Sequence, residues 1–83
     1  MTNTTSTRLS LASLENGESG ILDSTTLSKE ATLRLERLGL TPGRRIKLIK
    51  RGHRCLLAIA GARFALDLQL VSQLFITKPL DIS

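Results

Sequence analysis

Residues 38–43 of the sequence, Leu-Gly-Leu-Thr-Pro-Gly, constrain the fold more than any other segment. Gly39 can adopt the left-handed conformation that ends a helix, and Pro42 cannot extend a helix beyond that point. Pro42 and Gly43 also supply the fixed φ and the tolerated positive φ of a tight turn. The segment therefore predicts the end of a helix, a tight turn and the start of a strand, in that order.

The residues before this segment predict the helix that it ends. Thr26 or Ser28 is expected to cap the first turn, where Glu30 suits the positive end of the helix dipole. The apolar positions recur at i, i+4 and i+7 and are predicted to form one buried stripe: Ala31, Leu35 and Leu38. We expect about three helical turns with the charged residues facing water.

A basic strand is predicted after the turn, over residues 44 or 45 to 51. Charged and apolar residues alternate along residues 45–48, which sends charge to one face and apolar side chains to the other. Ile49 breaks this alternation, so either a bulge shifts the register there or Ile49 is covered from outside. The strand is thus expected to be half-buried with a basic outer face.

The remaining pattern predicts a mainly β domain. After a hairpin connection at residues 52–54, residues 55–60 read as a nearly all-apolar strand that should be covered on both faces. The other predicted elements are a first strand at residues 18–23, a turn at 61–63, a short strand from 64, a helical turn capped by Asp67 and a last strand at 74–77 ended by Pro79. Several short strands joined by turns predict a small barrel closed upon itself.

Length and composition bound the organisation of the chain. With 83 residues it forms one domain, predicted over residues 9–79, between flexible tails at 1–8 and 80–83. Its core must be aliphatic, because Phe64 and Phe75 are the only aromatic residues. A single cysteine and no segment typical of a signal peptide or a membrane span predict a cytoplasmic protein that is not itself inserted in the membrane.

The net charge of +5 comes from one stretch of the sequence. Six cations fall within eleven residues without an acid among them: Arg44, Arg45, Lys47, Lys50, Arg51 and Arg54. The other six basic residues and the seven acidic ones leave a charge of −1 for the rest of the chain. The basic character therefore belongs to the predicted strand and its hairpin, not to the whole surface.

Three motifs resemble those of a known family, the ferrous iron transport protein A (FeoA) family. They are Leu14-x-x-Gly17-x-x-Gly20, then Leu35-x-x-Leu38-Gly39-Leu40-Thr41-Pro42-Gly43, and Gly61-x-Arg63-Phe64-Ala65-Leu66. The resemblance covers about residues 9–78, and the middle motif is the most specific of the three. One departure is Leu38, where many members of the family carry Met, a change of similar volume that should leave the packing intact.

The resemblance implies a fold and a function. The implied fold is an SH3-like small barrel with one inserted α-helix and a short helical turn before the last strand. The implied function is that of a cytoplasmic, non-enzymatic accessory protein that binds and regulates FeoB, the membrane ferrous-iron permease. The same fold also occurs, by resemblance, as a module of iron-dependent repressors, but no DNA-binding domain is predicted here and a freestanding module is expected.

The residues also allow other functions, which we weighed against the implied one. Nucleic-acid binding by the basic strand would use Lys and Arg against phosphates, but the sequence offers no aromatic platform for base stacking. His53 and Cys55 fall on one side of a strand, yet two ligands are too few for a structural zinc site, and a buried Cys55 is a poor nucleophile. No metal site, cofactor or catalytic residue is therefore predicted.

Protein recognition is the predicted role of the corner around the turn. Leu40 follows the glycine that ends the helix, so its side chain is either a buried anchor for the turn or a contact offered to a partner. The basic residues beside it could steer the domain toward an acidic surface. The predicted partner-binding residues are Leu40, Thr41, Arg44, Arg45 and Lys47. The oligomeric state is left open by the sequence.

Overall fold

The computed structural model describes residues 8–78 and shows a mainly β domain. Its six strands are β1 (Arg8–Ser10), β2 (Ser19–Thr25), β3 (Arg45–Lys50), β4 (Arg54–Ile59), β5 (Ala62–Asp67) and β6 (Leu74–Thr77). Its helices are a 3-10 turn (Leu11–Ser13), α1 (Lys29–Arg37) and α2 (Leu68–Val71). The predicted tails and Pro79 lie outside the described residues, except that Arg8 is the first residue of β1 rather than part of a tail.

All six strands form one antiparallel sheet in the order β1-β6-β2-β3-β4-β5. The predicted fold class is confirmed, with α1 inserted between β2 and β3 and α2 before β6. The predicted closure is wrong, because β1 and β5 stand at the two ends of the order and do not pair. β1 has three residues, and the chain then turns into the 3-10 helix.

The core is aliphatic, as the composition predicts, and it lies on one side of the sheet. The buried residues are Leu11, Leu14, Leu22, Leu35, Leu40, Ile46, Leu48, Cys55, Leu57, Ile59, Val71, Leu74 and Ile76. Phe64 packs against the margin of this cluster. β4 supplies three of the buried side chains, but its other face carries the half-buried Leu56 and Ala58, so the predicted cover on both faces is incomplete.

Both ends of α1 follow the sequence signals. The Ser28 hydroxyl accepts a hydrogen bond from the Ala31 N–H at 3.2 Å, as an N-cap does. At the other end Gly39, with φ +100°, lets two backbone N–H groups return to the last helical carbonyls. Gly39 N–H donates to Glu36 at 3.0 Å and Leu40 N–H to Leu35 at 3.0 Å, the two bonds of a Schellman motif.

The predicted buried stripe of α1 is right for Leu35 and wrong for Leu38. Leu35 is 5% exposed, whereas Leu38 is the C-cap residue and is 43% exposed. The chain reverses at Gly39, so the side chain that packs beside Leu35 is that of Leu40. A contact between these two positions is the usual companion of a Schellman motif.

Ile49 marks a β-bulge, the first of the two alternatives left by the sequence. The pairing of β3 with β4 runs from Lys47 opposite Ala58 to Lys50 opposite Leu56, with a register shift between Leu48 and Lys50. Since Ala58 and Leu56 share one face of β4, the bulge puts Lys50 on the same face as Lys47. Without it, simple alternation would turn Lys50 toward the core.

The turn between β4 and β5 differs from the prediction of residues 61–63. Ala60 and Gly61 have φ values of 51° and 86°, which is the two-residue turn with two positive φ angles that suits a hairpin. β5 therefore begins at Ala62, and its six residues pair without a break with β4. Arg63 is consequently a strand residue and not a turn residue.

Gly20 occupies a place in β2 where a side chain does not fit. A Cβ atom there would overlap Cδ1 of Ile76 and lie 3.1 Å from its Cβ. Ile76 is fully buried on β6, so it has little room to move. We expect Gly20→Ala to lower the free energy of unfolding by about 1–3 kcal/mol through overpacking. Urea unfolding of the variant measures this loss, and a stability equal to that of the unchanged protein would contradict it.

Candidate functional site

The predicted partner-binding residues divide into one buried residue and four surface residues. Leu40 is 2% exposed and belongs to the core, so of the two alternatives it is the buried anchor of the turn. Thr41 is half-buried, and Arg44, Arg45 and Lys47 are exposed. The expectation of Leu40 as a surface contact is therefore corrected: the end of the helix turns its side chain inward.

The turn at residues 41–44 is held against β2 by backbone hydrogen bonds. Gly43 N–H donates to the Leu22 carbonyl at 2.8 Å, and Leu22 N–H donates to the Arg44 carbonyl at 2.9 Å. Arg44 N–H also donates to the Thr41 carbonyl at 3.1 Å across the turn. Gly43 has φ +93°, which a residue with a side chain seldom adopts. These bonds fix where β3 begins and therefore which of its residues face outward.

Four cations of β3 and β5, the strands on either side of β4, lie on the outer face of the sheet, and we call them the basic face: Arg45, Lys47, Lys50 and Arg63. Lys47 lies opposite Ala58 of β4, and Ala58 lies opposite Arg63 of β5, so small and basic residues form one row across the sheet. Arg44 stands in the turn that leads into this surface. Half-buried and exposed apolar groups, such as Ala58, separate the charges.

Two members of the basic face were not among the predicted site residues. Lys50 is there because of the bulge at Ile49, whose presence the sequence left open. Arg63 is there because the chain turns at Ala60 and Gly61, which pairs it with Ala58. The signal for Arg63 was present in the sequence, since a two-residue turn of this kind fixes the register of a hairpin.

Arg51 and Arg54, the other members of the basic stretch, are engaged elsewhere. The Arg51 guanidinium donates to the Ala12 carbonyl at 2.7 Å, and its backbone N–H donates to the Asn16 side chain at 2.9 Å. The Arg54 guanidinium lies 3.8 Å from the Asp67 carboxylate. The stretch of six cations thus splits into a surface group and two residues that hold loops and strand ends.

No carboxylate within residues 8–78 lies within ion-pair distance of the basic face. The ion pairs of this part of the chain are Arg8 with Asp23, Arg54 with Asp67, and Lys78 with Glu18. Arg45 makes one polar contact, to the Ser19 hydroxyl at 3.3 Å. The positive charge of the basic face is therefore available to an anionic group from outside.

The carboxylate of Glu18 is held by two hydrogen bonds away from the basic face. Its carboxylate accepts hydrogen bonds from the Glu15 backbone N–H at 2.7 Å and from the Lys78 ammonium at 2.6 Å. These bonds, the backbone one first, together with the charge of Lys78, hold the pKa of Glu18 below its usual value against a smaller opposing effect of desolvation. The ionised form joins the loop after residue 14 to the end of β6.

This depressed pKa predicts a pH-dependent contribution of Glu18 to stability. A carboxylate with a lower pKa in the folded state stabilises the fold above its unfolded pKa, and that contribution is lost as the pH falls through the folded value. We expect Glu18→Gln to be less stable than the unchanged protein at neutral pH and equally stable in acid, below the folded pKa. Urea unfolding at a series of pH values measures the difference, and one independent of pH would contradict the assignment.

The structure places His53 and Cys55, the two residues that could have shared an ion, in different surroundings. His53 is exposed and lies on the wall of an open groove beside α2, whereas Cys55 is fully buried with its Sγ 3.7 Å from the Gly52 carbonyl. The two side chains therefore have opposite environments. Within the described part of the chain, His, Cys, Asp and Glu form no group of three that could hold a metal ion.

None of the helices in residues 8–78 has the length and apolar composition that a bilayer span needs.

Comparison with solved structures identifies the fold. An iron uptake regulatory protein (FeoA) superimposes with a TM-score of 0.77 at 23% identity, covering 86% of this chain and 97% of that one. FeoA of Stenotrophomonas maltophilia complexed with zinc, described as a prokaryotic SH3 domain protein, has a TM-score of 0.70 at 22% identity and coverages of 84% and 89%. A manganese-dependent transcriptional repressor has a TM-score of 0.79 at 16% identity, but the match spans 90% of this chain and 44% of the repressor.

Comparison with curated proteins gave no match. The sequence profile of the FeoA domain, in contrast, matches residues 9–78, which is nearly the whole chain. The matched range includes the helix stop, the turn and all four residues of the basic face. The chain belongs to the FeoA domain family.

Proposed function

We propose that this protein is a cytoplasmic accessory protein of ferrous iron uptake, which binds and regulates the cytoplasmic part of the membrane permease FeoB. Membership of the FeoA family supports the link to ferrous iron transport. The observation that supports contact with an acidic partner is the basic face, because no carboxylate of residues 8–78 lies within ion-pair distance of its cations. The protein acts by contact with its partner and not by chemistry of its own.

The proposed contact surface starts at the turn and extends across the sheet. Of the residues predicted from the sequence it keeps Thr41, Arg44, Arg45 and Lys47, and it adds Lys50 and Arg63 from the structure. Leu40 supports this surface from beneath, since it packs in the core directly before Thr41. An acidic patch of the permease is the matching chemistry, because complementary charge accelerates encounter and fixes orientation.

A protein partner fits this surface better than a nucleic acid does. Proteins that bind single strands stack bases on exposed aromatic side chains. The two aromatic residues are both half-buried here: Phe64 packs against the core, and the Phe75 ring has the Arg8 guanidinium 6.0 Å from its centre. Phe64 is turned to the core and the Phe75 ring already has a cation over it, so the phosphate-binding alternative would rest mainly on charge.

The experiment that tests the proposal measures binding of the purified domain to the purified cytoplasmic part of the permease, with and without guanine nucleotide. We expect association that weakens as salt rises from low to physiological concentration, because exposed charges are screened over about 8–10 Å at about 0.1–0.15 M salt. The same titration with a DNA duplex and an RNA strand serves as the comparison. Failure to bind the permease at low salt, or tighter binding to nucleic acid, would overturn the proposal.

A further inference from the structure

The second feature of the surface is the open edge of the sheet at β5. Within residues 8–78, β5 pairs with β4 alone, so the backbone groups on its other side have no strand beside them there. The Leu68 N–H donates to the His53 carbonyl at 2.9 Å, and this bond shows which alternate residues direct their backbone groups toward β4. By alternation along an antiparallel pair, the backbone groups of Arg63, Ala65 and Asp67 point away from β4, toward the open edge.

This edge lacks several of the features that protect edge strands. β5 has six residues, contains no proline and pairs with β4 without a bulge. Among residues 8–78, the Arg54 side chain reaches over this edge, where its guanidinium donates to the Ala65 carbonyl at 3.2 Å and lies 3.8 Å from the Asp67 carboxylate. Both charged side chains are about two-thirds exposed, at 66% and 70%, so this cover is weak.

The sequence of β5 is complementary to itself. When two copies of β5 are aligned antiparallel about Ala65, Arg63 of each copy falls opposite Asp67 of the other. Phe64 of each copy then falls opposite Leu66 of the other, on the face that packs against the core. Opposite charges and apolar pairs directly across two strands both stabilise a sheet.

We propose that the free edge of β5 is a strand-addition site for a second copy of this chain, paired antiparallel about Ala65. The two sheets become one continuous sheet around a two-fold axis, and Arg54 of each copy leaves the Ala65 carbonyl when the strands pair. Six residues a side form a contact below the size of a standard interface, so we expect a dissociation constant on the order of 100 µM. This inference does not depend on the proposed function in iron uptake.

Two complementary charge variants test the proposed register. In a dimer of Arg63→Asp, the introduced carboxylate of each copy would face Asp67 of the other. In a dimer of Asp67→Arg, the introduced guanidinium would face Arg63 of the other. These like-charge pairs repel, so each variant alone should sediment as a monomer. Mixed in equal amounts they restore both opposite-charge pairs and should form a heterodimer. Asp67 makes no side-chain capping bond to α2, so its substitution leaves the helix intact. Sedimentation velocity at protein concentrations up to about 1 mM reads out all three samples.

Two further variants test the backbone pairing. Ala65→Pro removes an outward N–H that β4 does not use, so the fold should persist while dimerisation is lost. Arg54→Ala removes the cover and should tighten the dimer about three- to fivefold. Unchanged protein and Arg54→Ala that both remain monomeric up to about 1 mM would overturn the proposal. So would a mixture of the two charge variants that stays monomeric, or an Ala65→Pro variant that dimerises as well as the unchanged chain.

Discussion

Replacing Leu40 by alanine is expected to lower the free energy of unfolding by about 2–5 kcal/mol. The side chain is 2% exposed and lies in the core cluster beside Leu35, so its removal leaves a cavity and also forfeits the transfer energy of the lost methyl groups. A domain of this size has a stability near the low end of about 5–15 kcal/mol, so the loss is a large share of it. Urea unfolding measures the change as a lower midpoint.

Leu38→Ala is the matched control, two residues earlier in the same segment. Leu38 is 43% exposed, so its truncation should change stability by less than about 0.5 kcal/mol. Leu40→Gln should be at least as damaging as Leu40→Ala, because its amide would enter a core in which residues 8–78 place no buried polar side chain. If both alanine variants unfolded at the same urea concentration, Leu40 would not be the anchor of the turn.

The contrast between these two leucines shows what the sequence can predict. Gly39 and Pro42 locate the end of α1 well, because left-handed φ and the loss of a backbone donor are local properties of single residues. The burial of Leu38 and Leu40 depends on how the chain continues past Gly39. Helical periodicity assigned Leu38 to the core, but the helix ends there and Leu40 enters the core instead.

Elements that depend on distant partners were the ones that the sequence did not reveal. β1 has three residues and exists because Arg8, Leu9 and Ser10 pair with β6, more than sixty residues along the chain. Such a short segment carries no periodicity of its own. Whether the sheet closes likewise depends on the tilt and register of strands far apart in the sequence, and the sequence pattern does not contain that information.

The candidate site was predicted only in outline, because part of it depends on how separate strands pair. Arg45 and Lys47 face outward as simple alternation predicts. Lys50 and Arg63 join them through a bulge and a hairpin register, which are relations between strands. A stretch of six cations therefore predicted a basic strand, while the structure shows a basic face across three strands that excludes Arg51 and Arg54.

Reversing two charges on the basic face is expected to weaken binding to the permease domain at least about tenfold at low salt. The variant is Arg45→Glu with Lys47→Glu, both on exposed positions of β3. Substitutions at such positions should leave the fold intact, because neither side chain contributes to the core. The loss should appear mainly in the association rate and should shrink as salt rises, since the contact is electrostatic.

The control for this experiment carries the same change of charge at another place. Arg34→Glu with Arg37→Glu alters two exposed residues of α1, and like the β3 variant it lowers the net charge from +5 by four. If location decides binding, the α1 variant should keep most of its affinity while the β3 variant loses it. Equal losses in the two variants would mean that net charge alone attracts the partner, and the assignment of the basic face would be wrong. Equal retention in two folded variants would place the contact elsewhere on the domain, and the next residues to substitute would be the exposed Leu33 of α1 and Leu38 at its C-cap.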